Sequence, residues 1–238
     1  MSDLRVKYFD GIQEVAATAR RTAELGFVTS HGGNISARLD ENVVAITPTK
    51  VPKRKVHDAD VVLIDMEGAV LAAGEGRRPT GETPIHLHLF RQRPDATGIV
   101  HAHPPLLTGF AIAGCDLLAR PILPEPILEV GPVALVDYAE PLTDALAHTF
   151  DEALPRHNGF LMRNHGALFL SGEGCERALD FLEMTEAEAA SLLAARQLGE
   201  VHELSRDDVD NLGNTMRTRG LPMPGARGAV ERLADLYF

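Results

Sequence analysis

The stretch GIVHAHPP at residues 98–105 sets His101 and His103 two positions apart at the end of an apolar run, with two prolines behind them. In an extended strand residues i and i+2 project from the same face, so both imidazoles can address one object, most obviously a metal ion. A histidine pair is weak evidence on its own, because ten histidines in 238 residues place some close together by chance. Three other stretches bear on it. RNHG at 163–166 puts His165 at the end of an apolar strand, where alone it reads as a core or loop histidine. RRPTGE at 77–82 puts Thr80 and Gly81 just before a helix start at Thr83-Pro84, where free N–H groups suit an anion. Glu82 there either complements the helix dipole or does chemistry. HGGNIS at 31–36 is either a turn before a strand or a place where Gly32 and Gly33 let the backbone approach a ligand beside the Asn34 amide.

Taken together, Glu82, His101, His103 and His165 form a His₃-carboxylate set suited to a first-row divalent metal, Zn²⁺ most readily, with Mn²⁺ or Co²⁺ as alternatives. The set holds no cysteine, which points to a catalytic site with room for substrate and away from a closed structural one. His86 and His88 are also two apart, but on a helix that spacing turns side chains about 200° from each other, so they are expected to be surface or packing residues.

Periodicity names the elements that must position these groups. Residues 8–25 carry Ile12, Val15, Ala16, Ala19, Ala23 and Leu25 at helical spacing before Gly26. NISARL, VVAITP, VVLID and AVLAA follow as predicted strands. Next come a helix over 83–91, the strand ending at His101, a Pro-rich connection over 121–132 and the strand PVALVDY. A helix over about 143–153 and the strands GFLMRN and ALFL lead to the longest helix, 173–197, with Ala178, Phe181, Leu182, Thr185, Ala189, Leu192 and Leu193 on one stripe. Beyond about residue 200 the chain is polar, then rich in Gly, Pro and Arg, and ends on LADLYF. The expected organisation is a catalytic domain at 1–199 and a tail at 200–238, partly mobile or ordered only against a neighbour.

A net charge of −11 argues against nucleic acid or an anionic membrane as the main partner, while leaving room for a small anionic substrate in a locally basic pocket. No run of 18 apolar residues occurs, and the N-terminus lacks an apolar leader core. Cys115 and Cys175 stand alone, as expected of two free thiols in a reducing compartment, so the protein is expected to be cytoplasmic.

In the order HGGNIS, ITPT, PTGE, IVHAH and RNHG, the chain resembles the class II aldolase/adducin family over residues 8–197. The resemblance implies an α/β fold, a three-layer α/β/α sandwich around a central, largely antiparallel sheet. It also implies a homotetramer of fourfold symmetry with active sites at subunit interfaces. By the same resemblance His101, His103 and His165 bind zinc, and Glu82 is a ligand that doubles as acid/base. Gly33, Asn34, Thr49 with Lys50, Thr80 and Gly81 then line a phosphate site. The chain departs from the family pattern in three places. Thr49-Lys50 stands where Thr-Gly is common, and Thr80-Gly81 where Ser-Ser is common. RPILPEPILEV lacks the tyrosine that sugar-phosphate aldolases send to a neighbour's site, and Glu125 stands near that place.

The implied activity is metal-dependent cleavage of a C–C bond next to a carbonyl through a metal-stabilised enediolate. An aldolase acting on a small phosphorylated or carboxylated hydroxy-ketone is the leading expectation. The alternative is a decarboxylase of a hydroxy- or keto-carboxylic acid, since CO₂ loss uses the same electron sink and needs only later protonation. A sugar-phosphate 4-epimerase is disfavoured because family epimerases carry aspartate at the Glu82 position. A non-catalytic adducin-like module is disfavoured because all four ligand positions hold competent groups.

Overall fold

The computed structural model describes residues 3–238. In chain order the elements are α1 (Asp3–Lys7), α2 (Phe9–Glu24), β1 (Asn34–Asp40), β2 (Val43–Ile46), β3 (Val62–Ile64), β4 (Val70–Ala72), α3 (Thr83–Gln92) and β5 (Gly98–Ala102). The rest are α4 (Pro105–Ala113), α5 (Pro124–Glu129), β6 (Val133–Val136), α6 (Asp144–His148), β7 (Gly159–Met162), β8 (Gly166–Ser171), α7 (Cys175–Leu198) and α8 (Arg206–Arg219). The strands make one sheet in the order β4-β3-β2-β1-β5-β8-β7-β6, antiparallel throughout except for β6 beside β7.

Alternation along the strands splits the interior into two apolar layers, one on each face of the sheet. Val100 and Ala102 of β5, with Ile35 and Ala37 of β1, join residues of α2, α4 and α7 on one face. Ile99 joins Ile85, Leu89 and Phe90 of α3 and Leu146 and Ala147 of α6 on the other. The result is the expected three-layer α/β/α sandwich. Each fully buried aliphatic or aromatic side chain contributes roughly 1.5–3 kcal/mol, so the two layers fix the sheet firmly against its helices. The alternation also sends Asn34, Ser36 and His101 toward the α3 layer, the polar exceptions on otherwise apolar strand faces.

The structure corrects the sequence reading at several points. The stretch 121–132 contains α5, and the helix expected over 143–153 ends at His148 and continues as turns. Leu193, placed on the inward stripe of α7, is 42% exposed, whereas Leu192 is buried. Cys115 and Cys175 are both free thiols, as expected.

The tail is not a loose appendage. Ser205 caps α8 by accepting from the Asp208 amide, the Asp208 carboxylate accepts from the Ser205 amide, and Gly220 closes the helix at φ 68°. Val209 and Met216 of α8 bury against Ile127 of α5 and against Leu233, Ala234 and Leu236. LADLYF therefore finds its apolar partners within its own chain, because α8 carries a narrow apolar stripe on an otherwise polar helix.

Candidate metal centre

The centre forms where β1, β5 and β8 lie side by side beneath the start of α3. Across β1 and β5 Asn34 pairs with His101, and across β5 and β8 Ala102 pairs with Ala167. His103 lies one residue beyond β5, its amide held by the Phe27 carbonyl at 2.8 Å. His165 immediately precedes β8, in a turn where Asn164 takes φ 56°. Two glycines make the close approach feasible. A Cβ on Gly166 would stand 2.5 Å from His103 Cδ2, and one on Gly33, at φ 68°, would stand 2.6 Å from the His101 carbonyl oxygen.

One ligand atom from each of His101, His103 and His165 lies within 4.8 Å of the others. The Nε2 atoms of His101 and His103 are 3.2 Å apart, and His101 Nε2 is 3.4 Å from Glu82 Oε2. His165 Nε2 is 3.5 Å from Glu82 Oε1. Glu82 occupies the cap position of α3 but makes no capping bond, so the helix-dipole reading does not account for where its side chain goes. Its Oε2 accepts from Asn34 Nδ2 at 2.6 Å, and Asn34 Oδ1 is met by Nε2 of the wholly buried His86. The other ring nitrogen of His86 meets the Ser36 hydroxyl at 2.6 Å. A buried polar chain from Ser36 through His86 and Asn34 thus aims the Glu82 carboxylate at the histidines.

The electrostatics fit a cation. Burial drives His101 down to about 4, against the opposing pull of Glu82, and lowers His103 as well. His101 Nδ1 faces the Ala167 carbonyl at 2.9 Å, an acceptor only, so Nδ1 carries the proton and Nε2 is a lone pair. That lone pair confronts His103 Nε2 and the Glu82 carboxylate, and buried His165 Nδ1 has no hydrogen-bond partner. Burial alone would raise the Glu82 carboxyl, but the histidines and the Asn34 bond outweigh it and hold it below its ordinary value. Three convergent imidazoles, with lone pairs facing inward, and a carboxylate make a donor set for a divalent ion.

The anion residues fall on two loops that the backbone ties together. The Thr49 amide donates to the Arg78 carbonyl at 3.0 Å, and the Thr80 amide donates to the Thr47 carbonyl at 3.1 Å. Thr49 and Thr80 are half-buried and Gly81 exposed, so this rim opens beside Glu82, while exposed Lys50 sits in a turn at φ 60°. Glu125 is exposed on α5 and lines a groove with Asp180, Glu183 and Glu188 that none of the three histidines lines.

Three members of the neighbourhood escaped the sequence reading. His86 stands four residues after Glu82 on one helix face, and Ser36 stands two after Asn34 on one strand face; these spacings were the available signal. Lys53 had none. It is 1% exposed, its Nζ donates to the His31 carbonyl at 3.0 Å, and burial pushes it down to about 8 against the attraction of Glu82.

Residues 13–193 match the Class II Aldolase and Adducin N-terminal domain. The chain belongs to the class II aldolase and adducin family. Among its relatives in that family, the 3-oxo-tetronate 4-phosphate decarboxylase of Haemophilus influenzae is 30% identical over 80% of this chain and 90% of its own. The 5-deoxy-D-ribulose 1-phosphate aldolase of Bacillus thuringiensis serovar kurstaki is 29% identical over 87% of this chain and 96% of its own. A solved L-fuculose 1-phosphate aldolase superposes with a TM-score of 0.76 at 26% identity, covering 87% of this chain and 96% of that one. These relatives thus include both lyase outcomes expected from the sequence, a decarboxylase and an aldolase. No helix among the described residues is long and apolar enough to cross a membrane.

Proposed function

We propose that this class II aldolase family member is a divalent-metal-dependent lyase that cleaves the C–C bond next to a carbonyl in a small phosphorylated hydroxy-ketone. The observation that carries the reading is the convergence of His101, His103 and His165 with the Asn34-anchored Glu82. The three imidazoles, with Glu82, would hold the metal, Zn²⁺ by donor type. When bound, the ion supplies Lewis acidity toward a substrate carbonyl and its adjacent hydroxyl.

The protein's own groups do the rest. Asn34 occupies Glu82 Oε2, which leaves Oε1 to accept the proton of the substrate hydroxyl as the neighbouring C–C bond breaks. The bond's electron pair passes to the carbonyl side, and Glu82 returns the proton to carbon. Gly33, Thr49, Lys50, Thr80 and Gly81 would seat the anionic end through backbone N–H groups, hydroxyls and one ammonium. Such remote binding orients the reacting carbons.

A second reading, decarboxylation of a keto- or hydroxy-carboxylate phosphate, is favoured by the Haemophilus relative and by the absence of tyrosine in RPILPEPILEV. In that case buried Lys53 adds positive charge near the departing carboxylate. The same reading takes the protein to be cytoplasmic and homotetrameric, with residues 1–199 as the catalytic domain and 200–238 packed onto it. Glu125 then serves a site at a subunit interface. The test incubates the Zn²⁺-loaded protein with phosphorylated ketoses and with 3-oxo-acid phosphates, following aldehyde and CO₂ separately. Aldehyde from the ketoses supports the aldolase, CO₂ from the oxo-acids supports the decarboxylase, and neither product from either set refutes the lyase reading.

A further inference from the structure

A second cluster of metal-ligating side chains lies outside the centre described above, where the far part of α3 meets the end of α6. His88 Nε2 is 2.5 Å from Asp151 Oδ1, and His148 Nδ1 is 2.9 Å from Asp151 Oδ2. The two rings stand edge to face with centroids 4.7 Å apart. One ligand atom from each of the three residues lies within 4.8 Å of the others. We propose that His88, His148 and Asp151 form a second divalent-metal site of the transition-metal class, Zn²⁺ foremost, with solvent completing the coordination.

The donor chemistry and the spacing both suit this assignment. Two imidazoles and one carboxylate are ordinary zinc ligands, and in a tetrahedral site with bonds of about 2.0–2.1 Å the donors stand about 3.3 Å apart. The present separations require donor shifts of no more than about an ångström to reach that geometry. With zinc bound, the nitrogen of each ring that now faces Asp151 would present its lone pair, the ring proton residing on the opposite nitrogen. His88 is largely covered, its side chain 13% exposed on the rigid α3, while His148 and Asp151 are 62% and 47% exposed and leave the site open to water. Glu67 and Asp144 line the cavity that His88 and His148 share, and the one cation among its lining, Arg91, is engaged with the Met66 carbonyl. The local charge therefore favours a cation. Occupancy would clamp α6 to α3, the helix whose start carries Glu82.

The experiment is a zinc titration of chelator-stripped, full-length protein, read by metal content after desalting and by calorimetry. Two equivalents are expected for the unaltered chain and one for His88→Ala, His148→Ala, with lyase activity retained in that variant. His101→Ala, His103→Ala should also bind one equivalent, at the second site. Should the His88 and His148 variant fail to fold, Asp151→Asn keeps the shape and hydrogen bonding while removing the charge, and should weaken the second equivalent at least tenfold. A single equivalent on the unaltered protein, or two equivalents surviving in the folded variants, overturns the site.

Discussion

Beside the histidines, the Asn34 amide helps hold Glu82 ionised, and removing that amide makes a sharp test. Asn34 is 3% exposed, donates to Glu82 Oε2 at 2.6 Å and meets His86 Nε2 through its own oxygen. Asn34→Ala loses both contacts. The bond to the carboxylate is charge-assisted and worth about 1.5–3 kcal/mol, and stranding the buried His86 nitrogen costs about 1–3 kcal/mol. Only the first effect belongs to the ionised form of Glu82, so it raises that carboxyl's pKa by roughly 1–2 units, at about 1.4 kcal/mol per unit. The sign of the pH dependence follows. Glu82 is held below its ordinary value of 4.5, so the stability it lends is present above that pH and lost as pH falls through the folded value. Urea unfolding of the metal-free protein should show the variant about 2.5–6 kcal/mol less stable at pH 7. The deficit should narrow below pH 4.5, leaving the part due to His86. Carboxyl ¹³C NMR, with Glu82 assigned by its loss in Glu82→Gln, should follow the raised titration directly. An unmoved Glu82 titration, with a stability deficit that is constant across pH, would show that Asn34 does not hold the charge.

Glu82→Gln keeps size and hydrogen bonding but removes the proton acceptor, so turnover should fall by roughly 10²-fold or more, while the three histidines still retain metal. Full turnover in that variant would reduce Glu82 to a ligand. Lys53→Met should stabilise the metal-free fold by about 1–3 kcal/mol at pH 7, because a buried ammonium is relieved of its desolvation penalty. Since Lys53 is depressed to about 8 from 10.5, the native protein sheds that penalty as pH rises between those values, and the gain should shrink over the same window. Chemical denaturation at pH 7 and pH 10 checks the sign, and a gain that grows with pH would contradict it.

Much of the fold and the site was legible in the sequence because both depend on local periodicities. The two-residue spacing of His101 and His103 and the Pro84 helix start each placed a group within a residue or two of where it lies. Less legible was whatever depended on which elements meet. His86 looked like filler because its two partners, Asn34 and Ser36, come from a strand fifty residues earlier. Lys53 sits among polar neighbours in PKRK, where nothing local marks Lys53 as buried and Arg54 and Lys55 as exposed. The tail looked loose because the partners of Val209 and Met216 lie in α5, within a segment whose prolines read as a connection. Those prolines start the helix instead, occupying a first turn whose N–H groups need no intrahelical acceptor.

The three-histidine centre itself can be tested by zinc K-edge X-ray absorption on the His88→Ala, His148→Ala protein carrying one equivalent of Zn²⁺. The expected spectrum shows a first shell of nitrogen and oxygen at about 2.0–2.1 Å with the multiple-scattering pattern of three imidazoles, lost when His101 and His103 are also replaced by alanine. A sulfur shell near 2.3 Å, or an unchanged imidazole pattern after those replacements, would contradict it.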